Sequence, residues 1–265
     1  MELLTIPFSH YNERARWAMQ HHGVVAHERR YLPVLHYAPV RRAVPEAQQT
    51  ADAASSGLST PVLVLDDGRV VNDSADIVRW ADASHASPNT TLFPDAHREA
   101  IEAFEQPLQA SLGKDTRFLA YWFLLRDKSA FAELVRHNVG WWQRTAFAVG
   151  APAARAGMRK RFGLTQPRYE SVRARLEGVV AELSESLGAR DYVFADRFTA
   201  ADLTLATMLS PVLLPLPGYG AHIPALEGPY TALRDQLLQT HAGQHALRMY
   251  TRHRATTAAA SWTRA

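Results

Sequence analysis

The sequence predicts a small α/β domain at its start and a larger, all-helical domain behind it. Short apolar runs that suit strands alternate with helically spaced segments only as far as about residue 83. Residues 84–94 are rich in Ser, Asn, Thr and Pro and interrupt this alternation, as is typical of a linker. The chain after residue 94 carries apolar residues three and four positions apart, the spacing of helices. We therefore expect domains at 1–83 and 95–265. The Ala-, Thr- and Arg-rich tail after about Tyr250 predicts a frayed end without chemistry.

The first domain is predicted to have the element order βαβαββα. Residues 2–6 and 27–32 suit buried strands, and residues 12–22 between them carry apolar side chains at helical spacing. Gly23 follows that helix at the position where a left-handed cap is favoured. A second helix is expected around residues 41–51, inside a stretch rich in Ala, Arg and Gln.

A β-hairpin and a third helix complete the predicted first domain. Apolar residues 61–65 and 69–71 flank an Asp-Asp-Gly turn, and an Asp-Gly pair between apolar runs is a strong hairpin signal. Asp73 and Ser74 then suit the cap of a helix that continues to about residue 82.

The composition is that of an ordinary globular protein and excludes several functions. Lys and Arg number 29 against 26 Asp and Glu, spread along the chain, so we expect no nucleic-acid partner. No apolar run is long enough to span a bilayer and the first ten residues do not resemble a signal peptide, so we expect no membrane association and a cytoplasmic location. Because the chain has no cysteine, it forms no disulfide and supplies no nucleophilic thiol, and thiol chemistry needs a thiol from the ligand.

Four segments, taken together, resemble the glutathione transferase superfamily. Residues 9–18, Ser-His-Tyr-Asn-Glu-Arg-Ala-Arg-Trp-Ala, are similar to its active-site segment, in which a Ser or Cys opens the first helix. Residues 59–63, Ser-Thr-Pro-Val-Leu, resemble the segment with a cis-proline before the third strand, and Asp73-Ser74 resembles the acidic residue and serine that begin the third helix. Residues 198–206, Phe-Thr-Ala-Ala-Asp-Leu-Thr-Leu-Ala, are similar to the capping box and hydrophobic staple of the helical domain.

The resemblance implies a thioredoxin-like first domain and a homodimer. It also implies a detoxifying transferase that adds the thiol of glutathione, its co-substrate, to a small apolar or aromatic electrophile. Ser9 falls on the catalytic serine position, Pro61 falls on the cis-proline, and Tyr11 is a backup donor. The glutathione-binding residues that the resemblance implies are Thr60, Pro61, Asp73 and Ser74.

Each implied role has a physical basis. A helix N-terminus carries about half a positive charge, so it would stabilise a bound thiolate together with the Ser9 hydroxyl. Lowering the pKa of that thiol by about two units corresponds to roughly 2.7 kcal/mol. Thr60, held extended before a proline, can pair its backbone with an extended tripeptide. At Asp73 and Ser74, a helix N-terminus suits a carboxylate and the Asp73 side chain suits an ammonium, and a γ-glutamyl group carries both.

Structural explanations compete with these roles. Ser9, Asp73 and Ser74 are also favourable helix caps, and Pro61 suits an ordinary strand start. The residue that would bind the glycyl carboxylate of glutathione stays open: Arg41 and Arg42 lie in the right region of the chain, where basic residues also suit a solvated helix face.

Two further motifs are assigned no ligand. Thr199 and Asp202 form a capping box, whose expected role is to nucleate a buried helix. His21 and His22 are adjacent on a helix and do not face each other, so no metal site is predicted.

One departure from the family pattern narrows the chemistry. Close relatives of the first segment often carry Cys where Asn12 stands, and glutaredoxin-like members carry Cys at the Ser9 position. With both absent, disulfide exchange is not expected, and a serine-type transferase remains the leading hypothesis. The alternatives are a non-catalytic ligand-binding or interaction protein and an enzyme that uses a different low-molecular-weight thiol.

The implied electrophile site lies between the domains, where the second domain is rich in aromatic residues. These side chains suit either the wall of a pocket for a flat apolar ligand or a plain core. They are Phe118, Tyr121, Trp122, Phe123, Trp141, Trp142 and Phe147. The interleaved Arg126, Lys128 and Arg136 suggest an acidic electrophile.

Overall fold

A computed structural model describes residues 1–45 and 58–254 of the chain. Within these residues, four strands form one mixed sheet in the order β2-β1-β3-β4, in which β1 is parallel to β2 and antiparallel to β3, and β3 is antiparallel to β4. The strands are β1 Glu2–Thr5, β2 His27–Arg30, β3 Val62–Val64 and β4 Val70–Asn72. The domain also has three helices: α1 His10–His21, α2 Tyr37–Ala43 and α3 Ser74–His85. The predicted element order βαβαββα is therefore confirmed.

Alternation along the central strands divides the apolar side chains between two faces of the sheet. Leu3 and Leu63 pack with α1 and α3 on one face, whereas Leu4 and Val62 pack with Val40 of α2 on the other. Both faces are therefore covered, as the period of two along a strand requires.

The helix expected at residues 41–51 differs from the observed one. Helix α2 occupies Tyr37–Ala43, so its start lies earlier than the Arg- and Ala-rich pattern predicts. The remainder of that prediction, from residue 46, lies outside the described residues. Gly23 has a φ of +67° just after α1, as the cap prediction requires.

Beyond α3 the described chain is helical. The helices are α4 Arg98–Pro107, α5 Gly113–Leu124, α6 Lys128–Asn138, α7 Trp141–Arg161, α8 Gln166–Leu187, α9 Ala200–Leu209, α10 Pro229–Leu238 and α11 His241–Met249. Every residue of α9 is buried, and the predicted capping box of Thr199 and Asp202 begins it. Among the described helices, none combines the length and apolar character needed to cross a bilayer.

Helix α1 joins the two domains through buried charges. Its Arg14 donates to Glu105 of α4, and Thr204 of α9 donates to the same carboxylate. On another side of α1, Glu13 accepts from Arg16 at 2.8 Å and from Arg254 at 2.7 Å. These charges are almost completely removed from solvent, so their pairing sets how α1 sits between the sheet and the helical domain.

The end of the described chain corrects one prediction. Tyr250–Arg254 form a π-helical turn, and both Tyr250 and Arg254 are buried, so the tail is not frayed over these residues. Because the ion pair of Arg254 with Glu13 joins residues 241 positions apart, no local sequence pattern predicts it. Residues 255–265 lie outside the described part.

The Arg14–Glu105 pair yields a stability prediction. We predict that Arg14→Met lowers the free energy of unfolding by about 3–5 kcal/mol, because it leaves the Glu105 carboxylate buried without its cation. Unfolding in urea measures the loss. The matched control is Arg173→Met, which breaks a half-exposed pair with Glu177 and should cost less than about 1 kcal/mol. Equal losses in the two variants would contradict the prediction, and adding Glu105→Gln to Arg14→Met should recover part of the stability.

A second prediction concerns His36, which precedes α2 and is only 6% exposed. Burial is the main reason that the pKa of His36 falls from 6.5 to about 4. Between these pH values the unfolded chain binds a proton that the folded chain does not, so stability falls by up to about 1.4 kcal/mol for each pH unit lost. We predict that His36→Gln removes this component, measured by urea unfolding at several pH values, whereas the exposed His85→Gln retains it. An unchanged slope in His36→Gln would show that the histidine does not titrate as described.

Candidate functional site

Ser9 stands at the N-terminus of α1, where its hydroxyl is available to a ligand. Its backbone is extended, with φ −79° and ψ 128°, and its side chain does not bond to the helix that follows. Among the described residues no partner for the hydroxyl is found, and Ser9 lines the cavity between the domains. The first turn of α1 adds backbone N–H groups that have no acceptor within the helix. The position thus combines a free hydroxyl donor with the positive end of a helix dipole.

The loop before β3 meets the first turn of α1. The Thr60–Pro61 peptide bond is cis, and Asn12 of α1 donates from Nδ2 to Oγ1 of Thr60 at 3.2 Å. Within the described part of the chain, the backbone N–H and C=O of Thr60 have no hydrogen-bond partner. An extended peptide can therefore pair with Thr60 without displacing an existing bond.

Asp73 and Ser74 lie beside the same loop. The backbone N–H of Asp73 donates to the carbonyl of Pro61 at 3.3 Å, and its Oδ1 accepts from the N–H of Ala75 at 2.8 Å. Asp73 has a φ of +91°, a conformation that costs a non-glycine residue about 1–3 kcal/mol. The Asp73 carboxylate caps α3 with Oδ1, and no described residue bonds to its other oxygen.

The hydroxyl of Ser74 is the most informative atom of this region. Ser74 is 1% exposed, and its Oγ has no hydrogen-bond partner among the described residues. Leaving a buried hydroxyl unpaired costs about 1–3 kcal/mol. Both polar atoms of the Asn72 side chain are also buried, and no described residue bonds to them. This edge of the sheet therefore holds polar groups that a ligand can satisfy.

The two aromatic-ring residues after Ser9 are already engaged or buried. Tyr11 donates its hydroxyl to the carbonyl of Gln109 at 3.0 Å, and burial raises its pKa. Burial, reinforced by the Arg117 charge, lowers the pKa of His10 well below its usual value, so this histidine is neutral near pH 7. Of the three side chains, only Ser9 has a hydroxyl proton that is not already donated.

A cavity of about 630 Å³ lies between the two domains. The first domain contributes Ser9, Tyr11 and Thr60 to it, so the cavity reaches the thiol-activating position proposed from the sequence. Of the aromatic residues that suggested a pocket, Phe118 and Tyr121 line it. The remaining described aromatic walls are Phe8, Tyr37, Phe162 and Tyr230.

The other aromatic residues singled out in the sequence do not line the cavity. Trp122 and Phe123 are buried in the helical core, and Phe147 packs against Phe131. Trp141 and Trp142 are instead exposed, by 77% and 47% respectively. The core interpretation therefore holds for Trp122, Phe123 and Phe147. Neither the core nor the pocket interpretation predicts the exposure of Trp141 and Trp142.

The cations of the cavity are not those that the sequence suggested. Arg126 lies over the Trp122 ring at 3.1 Å, and it does not line the cavity, nor do Lys128 and Arg136. Those that line it are Lys114, Arg117, Arg161 and Arg168. Arg41 and Arg42 are exposed in the last turn of α2 and are not among the described lining residues. The sequence pattern could not distinguish these cations, because a basic residue has the same local signature whichever way its side chain faces.

Among the described residues, histidine and carboxylate side chains outside the cavity form two groups of candidate metal ligands. His21 bonds to the carbonyl of Thr90 at 3.0 Å, and His22 lies 3.2 Å from Asp82, so the two do not converge on one point. On the outer surface, three side chains bring ligand atoms within 4.8 Å of one another: Glu133, His137 and His222. This cluster is sufficient in number and type for a divalent metal, but a 2.8 Å His–carboxylate bond already satisfies two members and we assign it no role in the chemistry.

Comparison with known proteins agrees with this architecture. Residues 8–84 match the family model described as glutathione S-transferase, N-terminal domain, and residues 166–235 match the one described as glutathione S-transferase, C-terminal domain. No curated protein matches the sequence significantly.

Solved glutathione S-transferase structures share the fold over nearly the whole chain. The enzyme from Methylobacillus flagellatus, determined with glutathione bound, is 18% identical, covers 99% of each chain and has a TM-score of 0.56. One from Methylobacterium radiotolerans, in complex with glutathione sulfonate, is 19% identical over 100% of this chain and 96% of its own, with a TM-score of 0.58. One from Ceriporiopsis subvermispora, in complex with glutathione, is 15% identical over 94% of each chain, with a TM-score of 0.61. Because both family models match in the order in which the sheet domain and the helical domain occur, the chain belongs to the glutathione S-transferase superfamily.

Proposed function

We propose that this protein binds glutathione and activates its thiol for attack on a small electrophile. The observation that carries the proposal is the Ser74 hydroxyl, buried and without a described partner at the N-terminus of α3. A carboxylate bound there would accept from that hydroxyl and from the helix N-terminus. Related structures from Methylobacillus flagellatus and Ceriporiopsis subvermispora hold glutathione, which supports glutathione as the ligand.

The proposed binding mode uses both polar edges of the first domain. The γ-glutamyl carboxylate binds at Ser74, and its ammonium binds the Asp73 oxygen that does not cap α3. The peptide backbone pairs with the N–H and C=O of Thr60, next to the cis-Pro61. The Asn12 bond to Thr60 holds this segment against α1 and so sets the distance from peptide site to Ser9.

In the proposed reaction Ser9 donates its hydroxyl proton in a hydrogen bond to the thiolate sulfur. The thiol proton passes to solvent, since no basic side chain is required when the pKa of the thiol is lowered. The sulfur lone pair then forms a bond to an electrophilic carbon, and the leaving group departs with its bonding electrons. Tyr11 remains the backup donor, but it would first have to give up its bond to Gln109. The Ser9 hydroxyl has no hydrogen bond to a described residue that it would have to break first.

Two other functions keep specific support. The exposed positions of Arg41 and Arg42, away from the cavity, leave the glycyl carboxylate without an assigned cation, which favours a binding protein or a different thiol.

The resemblance also leads us to propose a homodimer. Sedimentation equilibrium should then give twice the chain mass, and a monomer at all concentrations would contradict the proposal.

Calorimetric titration with reduced glutathione tests the binding site. We predict that Ser74→Ala weakens glutathione binding by about tenfold while leaving the thermal midpoint equal or higher, because no described residue bonds to the hydroxyl in the free protein. Asp73→Asn preserves the helix cap, removes the charge and should also weaken binding. The control is Ser186→Ala, on the exposed face of α8.

A loss of stability without a loss of affinity in Ser74→Ala would assign the hydroxyl to folding. No saturable binding by the unaltered protein at millimolar glutathione would overturn glutathione as the ligand. The different-thiol and binding-protein alternatives would then take its place.

Steady-state kinetics tests Ser9. We predict that Ser9→Ala lowers kcat by about 10- to 100-fold, the loss of one charge-assisted hydrogen bond to the thiolate, with little change in glutathione affinity. The pH dependence of the thiolate absorbance in the glutathione complex should shift to higher pH in the same variant. Equal effects on affinity and turnover, or none on either, would contradict the role.

A further inference from the structure

We propose that the second ligand of the cavity is a flat aromatic molecule bearing an anionic group, which the guanidinium of Arg117 binds. Its role as the electrophilic co-substrate rests on the proposed function, whereas its binding to the cavity does not require glutathione. The inference depends on three features: the charges around the cavity, the position of Arg117, and the aromatic side chains beside it.

The charges around the cavity have one sign. Its described lining residues include four cationic side chains and no aspartate or glutamate: Lys114, Arg117, Arg161 and Arg168 are the cations. The nearby Asp115 is bound by Arg175 in a two-point contact with both distances at 2.6 Å. Its negative charge is therefore already matched outside the cavity. A concave surface lined by cations and by no described carboxylate attracts anions and repels cations.

Arg117 is the cation best placed to contact a ligand. It is half-buried on α5, and no carboxylate among the described residues lies within salt-bridge distance of it. Its guanidinium lies 5.9 Å from the centre of the Tyr11 ring and 5.8 Å from that of Phe162. A partly desolvated cation without a counter-ion is costly, and an anionic ligand would remove that cost.

The charge of Arg117 acts on titratable groups that line the cavity. Burial raises the pKa of Tyr121 to about 12, and the charge of Arg117 opposes that rise. The same charge adds to the effect of burial in lowering the pKa of His10. Tyr121, His10 and Tyr11 all line the cavity, so the groups that sense Arg117 surround the space that a ligand would occupy.

The walls beside Arg117 are flat and aromatic. Tyr121 and Phe162 are stacked with ring centres 4.4 Å apart and planes inclined by 22°. On the other side, the Phe118 ring lies 5.1 Å from the guanidinium of Arg168, an exposed residue. Because the cavity holds about 630 Å³, it has the size of pockets that enclose a small organic ligand. A planar guanidinium binds a carboxylate or sulfonate through two parallel hydrogen bonds, which suits an acid attached to a ring.

A matched pair of ligands tests the charge requirement. The probes are 2-naphthoate and 2-naphthamide, which have nearly the same shape and differ in charge. We expect calorimetry to show that the protein binds 2-naphthoate at least about tenfold more tightly, with an advantage that declines as salt rises. Arg117→Gln should abolish the preference, and Arg117→Lys should keep part of it because the charge remains without the two-point geometry.

The matched control is Arg126→Gln, which removes an exposed arginine outside the cavity and should leave the preference intact. Circular dichroism of each variant establishes that it folds. Equal binding of the two probes by the unaltered protein would overturn the proposal, as would a preference that survives Arg117→Gln.

Glutathione titration of the same variants separates this proposal from the preceding one. If Arg117→Gln weakens glutathione and leaves the naphthoate preference unchanged, Arg117 binds the glycyl carboxylate and the proposal is wrong. If glutathione does not bind but the preference exists and depends on Arg117, the anion site stands and the proposed transferase function fails.

Discussion

The buried charges of helix α1 are the constraint on which the rest of this structure depends. Glu13, Arg14 and Arg16 are removed from solvent, and such charges are tolerated only when each has a counter-ion and further hydrogen bonds. Arg14 finds its partner on α4, and Glu13 accepts from Arg254 near the far end of the described chain. The helical domain must therefore dock against α1 in one arrangement, because a shifted arrangement would leave a buried charge unpaired.

The same helix that joins the domains also lines one part of the cavity. Ser9 opens α1, so the geometry that pairs Arg14 with Glu105 also sets where the Ser9 hydroxyl points relative to the walls from α5. In the first turn of α1, Asn12 holds Thr60 and thereby the loop before β3.

Polar groups without partners mark the places where the folded chain is not at its stability optimum. The Ser74 hydroxyl, the Asn72 amide and Nε2 of His10 are buried without hydrogen bonds among the described residues, and Asp73 has a strained backbone. Each lowers the stability of the free protein, and such costs are typical of sites organised for a ligand before it arrives. Arg117 is a further case, because it is a half-buried charge with no described carboxylate within salt-bridge distance. A ligand that reached these groups would recover free energy when it bound.

Local chemistry determined the features that the sequence alone could predict: the element order, the hairpin around Asp-Gly, the cap at Gly23 and the capping box that begins at Thr199. Each depends on a few adjacent residues, on periodicity or on a turn that only certain side chains adopt. Only the tertiary structure decided that Arg117 faces the cavity while Arg126 covers a tryptophan, and that Arg254 is buried on Glu13. The physical reason is that a basic residue has the same local sequence signature wherever its side chain faces, and its partner is chosen by packing between residues far apart in the chain.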